Sequence, residues 1–341
     1  MTGCCNPIIE DSHILPLRHF HRSYSRLYLG LTGPHTSECH GFSFYRNNHI
    51  VSDTPFSVGF SIIKRREIIV YAATALTALS VTFSVTAQPL KDALTAPPLI
   101  CAHRGWTDPS ETENSLSQMR RTHQVGPFMM EIDLARDASG QIVLLHDQNV
   151  DRTTTGHGPL AILSSENLQK LRLKSISGPT QEHIPTYETV LDWAAGTPNV
   201  LLMLDIKDIP PADALRSVRR ERLSDRVVVL TFQEKQAREA FKADPDALIS
   251  VLVTTPTDLI TYRKIAGTRR FAAYIPKTSK PSLFKIAHQA GAIIITDILG
   301  PTAIKDVMSP EDGAQHARAL SIDIMVTNTP LQLQTSLKKQ F

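Results

Sequence analysis

Cysteine is scarce in this 341-residue chain. Of four cysteines, Cys4, Cys5 and Cys39 fall within the first 40 residues, and only Cys101 lies downstream. A lone cysteine excludes an internal disulfide over most of the sequence, and no Cys-x-x-Cys pair is present to hold structural zinc. Cys101 therefore reads as a small apolar strand residue. Charge of one sign is also lacking. The formal net charge is +3, and no extended lysine or arginine run marks a nucleic-acid face. Tryptophan occurs twice, as Trp106 and Trp193. No glycine-rich turn follows the first strand-like run, where Gly105 stands alone, which argues against an open dinucleotide-binding sheet.

What remains is ordinary globular material, 42% hydrophobic and 20% charged, enough for one large domain with its own core.

The amino-terminal part reads differently. Lys64-Arg65-Arg66 precedes an apolar run from Ile68 to about Val85, which ends in Val85-Thr86-Ala87. A positive start, an apolar middle and small residues at the end form the layout of a secretory signal. Cleavage after Ala87 leaves residues 88–341 as the mature domain, in the periplasm or outside the cell. An uncleaved membrane anchor is the alternative for residues 64–87, since about 18–20 apolar residues span a bilayer, and a buried helix is the third reading. Residues 1–63 show no sustained period and hold six of the 13 histidines, but their Cys and His spacing fits no zinc pattern. The expectation is that translation starts near Val58 and that the preceding residues are not part of the native protein.

From Leu99 onward, short aliphatic runs alternate with helix-compatible stretches. The runs are Leu99–Ala102, Phe128–Leu134, Gln141–Leu145, Val200–Ile206, Arg226–Thr231, Leu248–Val253, Phe271–Ile275, Ala292–Ile298 and Ile322–Thr327. Only Ala135–Gly140 joins the second to the third, too short for a crossover helix, so that connection is a hairpin. The other eight are spaced for helices, as at Ser110–Gln124, Tyr187–Ala195, Gln233–Lys242 and Pro281–Gln289. Eight β-α units in about 250 residues are the size of a (β/α)8 barrel. Runs as apolar as Val227-Val-Val229 suit parallel strands covered on both faces.

The ionisable residues cluster at the ends of these runs. His103 and Arg104 follow the first, Glu131 and Asp133 lie near the end of the second, His146 ends the hairpin strand, and Asp205 and Lys207 end the next. Barrel active sites sit at the carboxyl ends of the strands, so all of them face one mouth. Glu131 and Asp133, two apart on a strand, project to the same face. Two carboxylates so close repel unless a cation lies between them, and oxygen ligands suit Ca²⁺ or Mg²⁺. Asp205 is the third candidate ligand, and Glu113 is either a further contact or a brace. Two imidazoles can divide proton removal and proton donation near neutrality. Arg104 and Lys207 supply positive charge for a phosphate.

His103-Arg-Gly105, Glu113-Asn-Ser115, Glu131-x-Asp133, His146-Asp147, Arg152-Thr-Thr-Thr-Gly-His-Gly158, Ile184–Leu191 and Leu204-Asp-Ile-Lys207 stand in the order found in glycerophosphodiester phosphodiesterases. From Ile100 to Lys207 the chain resembles that family, part of the PI-PLC-like phosphodiesterase superfamily. The resemblance implies metal-dependent hydrolysis of a glycerophosphodiester to sn-glycerol 3-phosphate and an alcohol. It makes Glu131, Asp133 and Asp205 the metal ligands, His103 and His146 the acid–base pair, and Arg104 and Lys207 the substrate-binding residues. It implies a small-molecule partner, with the membrane close by if the apolar run is retained.

The sequence departs from the family in three places. Asp205 stands where Glu is usual; sphingomyelinase D enzymes, which look like distant barrel relatives, carry Asp-x-Lys there. Ile295-Thr-Asp297 has no nearby Trp, and Asn328 replaces the usual Asp. Asn328 is expected on the far side of the mouth, near the alcohol. Trp106 is placed either in packing or over a choline-like head group, and the loop Asp151–Gly158 as a brace for the site. A sphingomyelinase D-like or phospholipase D-like enzyme on intact lipid is the alternative activity, and a non-catalytic binding barrel the alternative class.

Overall fold

Each of the nine apolar runs folds as a strand. The computed structural model describes residues 90–302 and 305–339. Its strands are β1 (Leu99–Ala102), β2 (Met129–Arg136), β3 (Ile142–Leu144), β4 (Lys174–Ser175), β5 (Gly178–Pro179), β6 (Leu201–Asp205), β7 (Val227–Thr231), β8 (Leu248–Leu252), β9 (Ala272–Tyr274), β10 (Ile293–Asp297) and β11 (Ile324–Thr327). The parallel order β1-β11-β10-β9-β8-β7-β6-β2 closes on itself through a β1–β2 pairing. This is a (β/α)8 barrel, with β3 antiparallel to β2 as an excursion outside it.

The hairpin turn is built by Asp137. Its Oδ1 accepts from the backbone N–H of Ser139 (2.8 Å) and Gln141 (2.9 Å), and Gly140 sits at a φ of 85°. Such a φ costs glycine no side-chain clash. The two-residue strands β4 and β5 form a separate small hairpin.

Helices begin where local chemistry allows. Five of them carry proline in their first turn, at Pro211, Pro256, Pro281, Pro310 and Pro330. The missing N–H has no intrahelical partner there in any case. The first barrel helix runs Leu116–Val125, later than the Ser110–Gln124 segment allotted to it. Ser115 caps it, accepting from the Gln118 N–H. The residues released from the helix form the loop that carries Glu113 and Asn114.

Within the barrel, burial splits in two. One layer lies between strands and helices; the other fills the barrel with Leu99, Cys101, Met129, Met203, Leu230 and Ile295 among others, and Leu90 packs against it. Cys101 is fully buried, a packing residue as its sequence context indicates. Phe271 belongs to the outer layer and is fully buried, with the Arg263 guanidinium 4.6 Å from its ring centroid. Phe271→Ala is expected to cost about 3–5 kcal/mol in a urea melt, with the slope of the transition unchanged.

Among the described residues no helix is long and apolar enough to cross a membrane. The run Ile68–Val85 and the segments 1–63 and 64–87 lie outside the described residues.

Candidate active site

Inside the barrel the side-chain alternation runs from oil to charge. Along β1 it passes from Leu99 and Cys101 to His103, the first residue beyond the strand; on β2, from Met129 to Glu131 and Asp133; on β6, from Leu201 and Met203 to Asp205. The period of two that buries the lower residues therefore delivers polar ones to the carboxyl-end mouth. Register matches Asp133 with Asp205 across the β2–β6 pair. Glu131, Asp133 and Asp205 each offer an oxygen within 4.8 Å of the others.

The electrostatics of this cluster are adverse without a cation. Burial, then the charges of Asp133 and Asp205, push the Glu131 carboxyl well above the usual range. Burial and Asp133 likewise raise Asp205. Burial alone would raise Asp133 too, but Lys207, His146 and Arg104 hold it below the usual value. Lys207 Nζ lies 2.9 Å from Asp133 Oδ1 and 3.8 Å from Asp205 Oδ2, and donates to the His146 carbonyl (2.8 Å). Three clustered carboxylates with an all-oxygen donor set fit a hard divalent ion. Further groups hold the ligands in place. Asn114 donates to Asp133 Oδ2 (2.7 Å) and accepts from its N–H (3.0 Å), while the Arg104 N–H donates to Glu131 Oε2 (2.8 Å).

Arg104, Asn114 and Lys207 all have left-handed backbones, with φ of 52°, 51° and 42°. Asparagine visits this region readily, whereas Arg104 and Lys207 adopt it at a cost in strain, of a kind found at functional sites.

His103 is 7% exposed, and its Nε2 is 4.0 Å from Glu131 Oε2. Burial, then the Arg104 charge, lowers its pKa to about 4. Its tautomer follows from the neighbours. Trp106 Nε1 can only donate, and it lies 3.1 Å from Asn328 Oδ1. That oxygen is therefore an acceptor, and His103 Nδ1, 2.9 Å away, must donate to it. Nε2 keeps its lone pair. Asn328 is thus a support behind His103, and the expected placement of it beside the alcohol is corrected: it is fully buried and tied to Asp306 as well. Trp106 is 2% exposed with its N–H engaged, so it packs and offers no face to a head group.

His146 follows β3, and its Nδ1 pairs with Asp147 Oδ1 at 2.7 Å. Asp147 in turn accepts from Arg152 Nε (2.6 Å), and Arg152 grips both oxygens of Glu113 (2.6 and 2.8 Å). Glu113 also accepts from Arg104 Nη1 at 2.9 Å. Glu113 is therefore the brace of the two roles open to it. Arg104 is 1% exposed, packed among Glu113, Asp133 and Trp106, so its charge acts from beneath the mouth. The bracing role of the Asp151–Gly158 loop resides in Arg152, a residue that sequence reasoning left without a task. His157 stays outside, pairing with Asp151 on an exposed surface.

The profile of the Glycerophosphoryl diester phosphodiesterase family matches residues 103–294, more than half of the chain. The chain belongs to this family. The glycerophosphodiester phosphodiesterase of Caldanaerobacter subterraneus subsp. tengcongensis is 27% identical over 162 residues, covering 45% of this chain and 66% of that protein. Glycerophosphodiester phosphodiesterase 1 of Bos taurus is 30% identical over 168 residues, covering 46% of this chain and 49% of that protein. The fold is shared with a glycerophosphoryl diester phosphodiesterase from Parabacteroides distasonis, at a TM-score of 0.63 and 23% identity, covering 73% of this chain and 91% of that one. It is shared too with an Oleispira antarctica phosphodiesterase solved with sn-glycerol-3-phosphate, at a TM-score of 0.58 and 18% identity, covering 71% and 97%.

Proposed function

We propose that this family member hydrolyses glycerophosphodiesters to sn-glycerol 3-phosphate and an alcohol, with a divalent cation as cofactor. The observation that carries this reading is the meeting of Glu131, Asp133 and Asp205 within 4.8 Å, beside His103 and below the hairpin that bears His146. Those three carboxylates would hold Ca²⁺ or Mg²⁺, and the bound ion would add positive charge where negative charge grows on the phosphoryl oxygens.

The remaining work falls to side chains. Lys207 and Arg104 draw the phosphate towards the mouth. His103, neutral with a lone pair on Nε2, is placed to take a proton from the attacking hydroxyl. His146, with Asp147 on its Nδ1, is placed to give one to the departing oxygen, and Asp147 balances the charge on the ring. A hydroxyl of the substrate's own glycerol is the natural attacker, because intramolecular nucleophiles reach effective molarities of about 10⁵–10⁸ M. The alcohol leaves with the proton from His146, and a cyclic phosphate remains. Water, deprotonated by His146, opens it to sn-glycerol 3-phosphate while His103 returns its proton to the glycerol oxygen. Incubating the chain with glycerophosphocholine and Mg²⁺ or Ca²⁺ should release sn-glycerol 3-phosphate and choline; binding without turnover would favour a non-catalytic barrel.

Asp147→Asn tests the brace. It should lower kcat roughly 10- to 100-fold with KM nearly unchanged, because it loosens the imidazole without touching the phosphate. Partial burial would raise Asp147, but Arg152 and His146 pull it well below the usual carboxylate range. Its stabilising contribution is therefore complete above the ordinary carboxylate pKa of about 4 and lost only at more acidic pH.

An exported location belongs to the same reading. It is supported by the layout of Lys64 to Ala87, and sequencing the amino terminus of the mature protein tests it.

A further inference from the structure

Behind the His103 ring runs a chain of hydrogen bonds that ends at Asp306, an acid the reaction above does not use. Asn328 is its middle link. The Asn328 Oδ1 accepts from His103 Nδ1 (2.9 Å) and Trp106 Nε1 (3.1 Å), and its Nδ2 donates to Asp306 Oδ1 at 3.0 Å. The Asn328 backbone N–H also donates to Asp306, at 3.1 and 3.2 Å from its two oxygens. The hydroxyls of Thr327 (2.5 Å) and Thr329 (3.1 Å) donate to Asp306 Oδ2. One acid thus holds three consecutive residues at the end of β11. Asn328 is fully buried and Asp306 partly exposed.

Asp306 stands on the loop after β10, and that loop is itself fastened. Leu299 and Asp306 form a β-bridge, and the Val307 N–H donates to the Ile298 carbonyl at 2.8 Å. A Cβ on Gly300 would lie 2.6 Å from the Lys305 carbonyl oxygen, so a side chain there would prise the loop open.

A carboxamide has two faces of opposite hydrogen-bonding character. Turned over, Asn328 would set its NH₂ against the Trp106 N–H, a donor, and its oxygen against the acceptor Asp306. Both ends of the chain oppose that flip. Removing the far end leaves the buried NH₂ without its Asp306 acceptor, a costly state that the side chain relieves by turning or shifting. His103 Nδ1 then loses a fixed acceptor, and Nε2 loses its aim.

We propose that Asp306 is a positioning residue of the hydrolytic site: it holds the Asn328 carboxamide, and through it the His103 ring, in the orientation that turns the Nε2 lone pair to the mouth. The assignment rests on the hydrolytic reading above. The competing role is structural alone, a clasp at the start of the helix Pro330–Lys338.

Turnover of glycerophosphocholine by the full chain separates the two. Asp306→Ala should lower kcat roughly 10- to 100-fold with KM nearly unchanged, of the order that a misplacement of about 1 Å costs a reacting group. Asp306→Asn keeps a carbonyl for the Asn328 NH₂ and should recover most of the loss. Thr329→Val removes a different bond to Asp306 and should leave kcat alone. In an Asn328→Ala background, Asp306→Ala should cost less than about threefold more, because the two act in series. Full multiplication of the two losses, no recovery in Asp306→Asn, or a Thr329→Val loss as large as that of Asp306→Ala overturns the proposal.

A second measurement needs no turnover. The chain has two tryptophans, and the Trp106 indole N–H donates to Asn328 Oδ1. Its resonance in a proton–nitrogen correlation spectrum therefore reports the carboxamide. In Asp306→Ala it should shift and exchange faster in deuterated water while the Trp193 resonance stays in place; in Thr329→Val it should keep its wild-type behaviour. An unmoved Trp106 resonance in Asp306→Ala overturns the proposal. If the wild type hydrolyses no diester, the hydrolytic reading fails by itself, and this resonance still decides whether Asp306 holds Asn328.

Discussion

Chelation with excess EDTA should reduce hydrolysis of glycerophosphocholine by roughly 10³-fold or more, and Ca²⁺ or Mg²⁺ should restore it. The size of this effect follows from the three carboxylates. Glu131 and Asp205 are both raised, first by burial and then by neighbouring negative charge. In the cation-free protein their stabilising contribution is full below the ordinary carboxylate pKa of about 4 and disappears as pH rises through the raised values. A divalent ion reverses that penalty, so its addition near neutral pH should raise the melting temperature and release protons. Isothermal titration in two buffers of different ionisation enthalpy measures the proton release. Undiminished turnover in excess EDTA would end the metal assignment.

Replacing either imidazole carries the second large effect. His103→Ala and His146→Ala should each lower kcat by about 10²–10⁴-fold, the usual yield of a positioned acid or base. The two losses should differ in kind. A substrate with an easily expelled alcohol, such as a nitrophenyl diester, needs little help from an acid. It should recover much of the rate in His146→Ala and little in His103→Ala. Equal recovery in both would contradict the division of labour drawn from the His103 tautomer. The Asn328 carboxamide should share in the effect, because it accepts from His103 Nδ1 and Trp106 Nε1 together.

The barrel was legible because its strands are dense apolar runs, each separated by enough chain for a helix. Glu131 and Asp133 were legible by parity, since residues two apart on a strand share a face. The tasks of Asn328, Trp106 and Arg152 were not. Each depends on a partner far away in sequence, and no local period announces such a pairing: Arg152 meets Glu113 across 39 positions, and Asn328 meets His103 across 225. The late start of the first helix did leave a signal, since Ser115 precedes Gln118 by the three residues that a capping pattern asks for. The hairpin β4–β5 has only two residues per strand, too few for any alternation to register.

The two imidazoles are rooted differently. His103 grows from a stave of the barrel, whereas His146 rides on the β3 excursion, whose insert has a small core of its own from Val143, Leu145, Val150, Leu160, Leu168, Leu173 and Ile184. The insert is tethered near the mouth by Arg152 on Glu113 and by Lys207 on the His146 carbonyl. On the proposed reading, the proton donor is thus carried by a module that can be exchanged or reshaped separately, while the three clustered carboxylates stand on the barrel strands themselves. Relatives acting on bulkier diesters would then be expected to differ first in this appendage, and only later in the carboxylates beneath it.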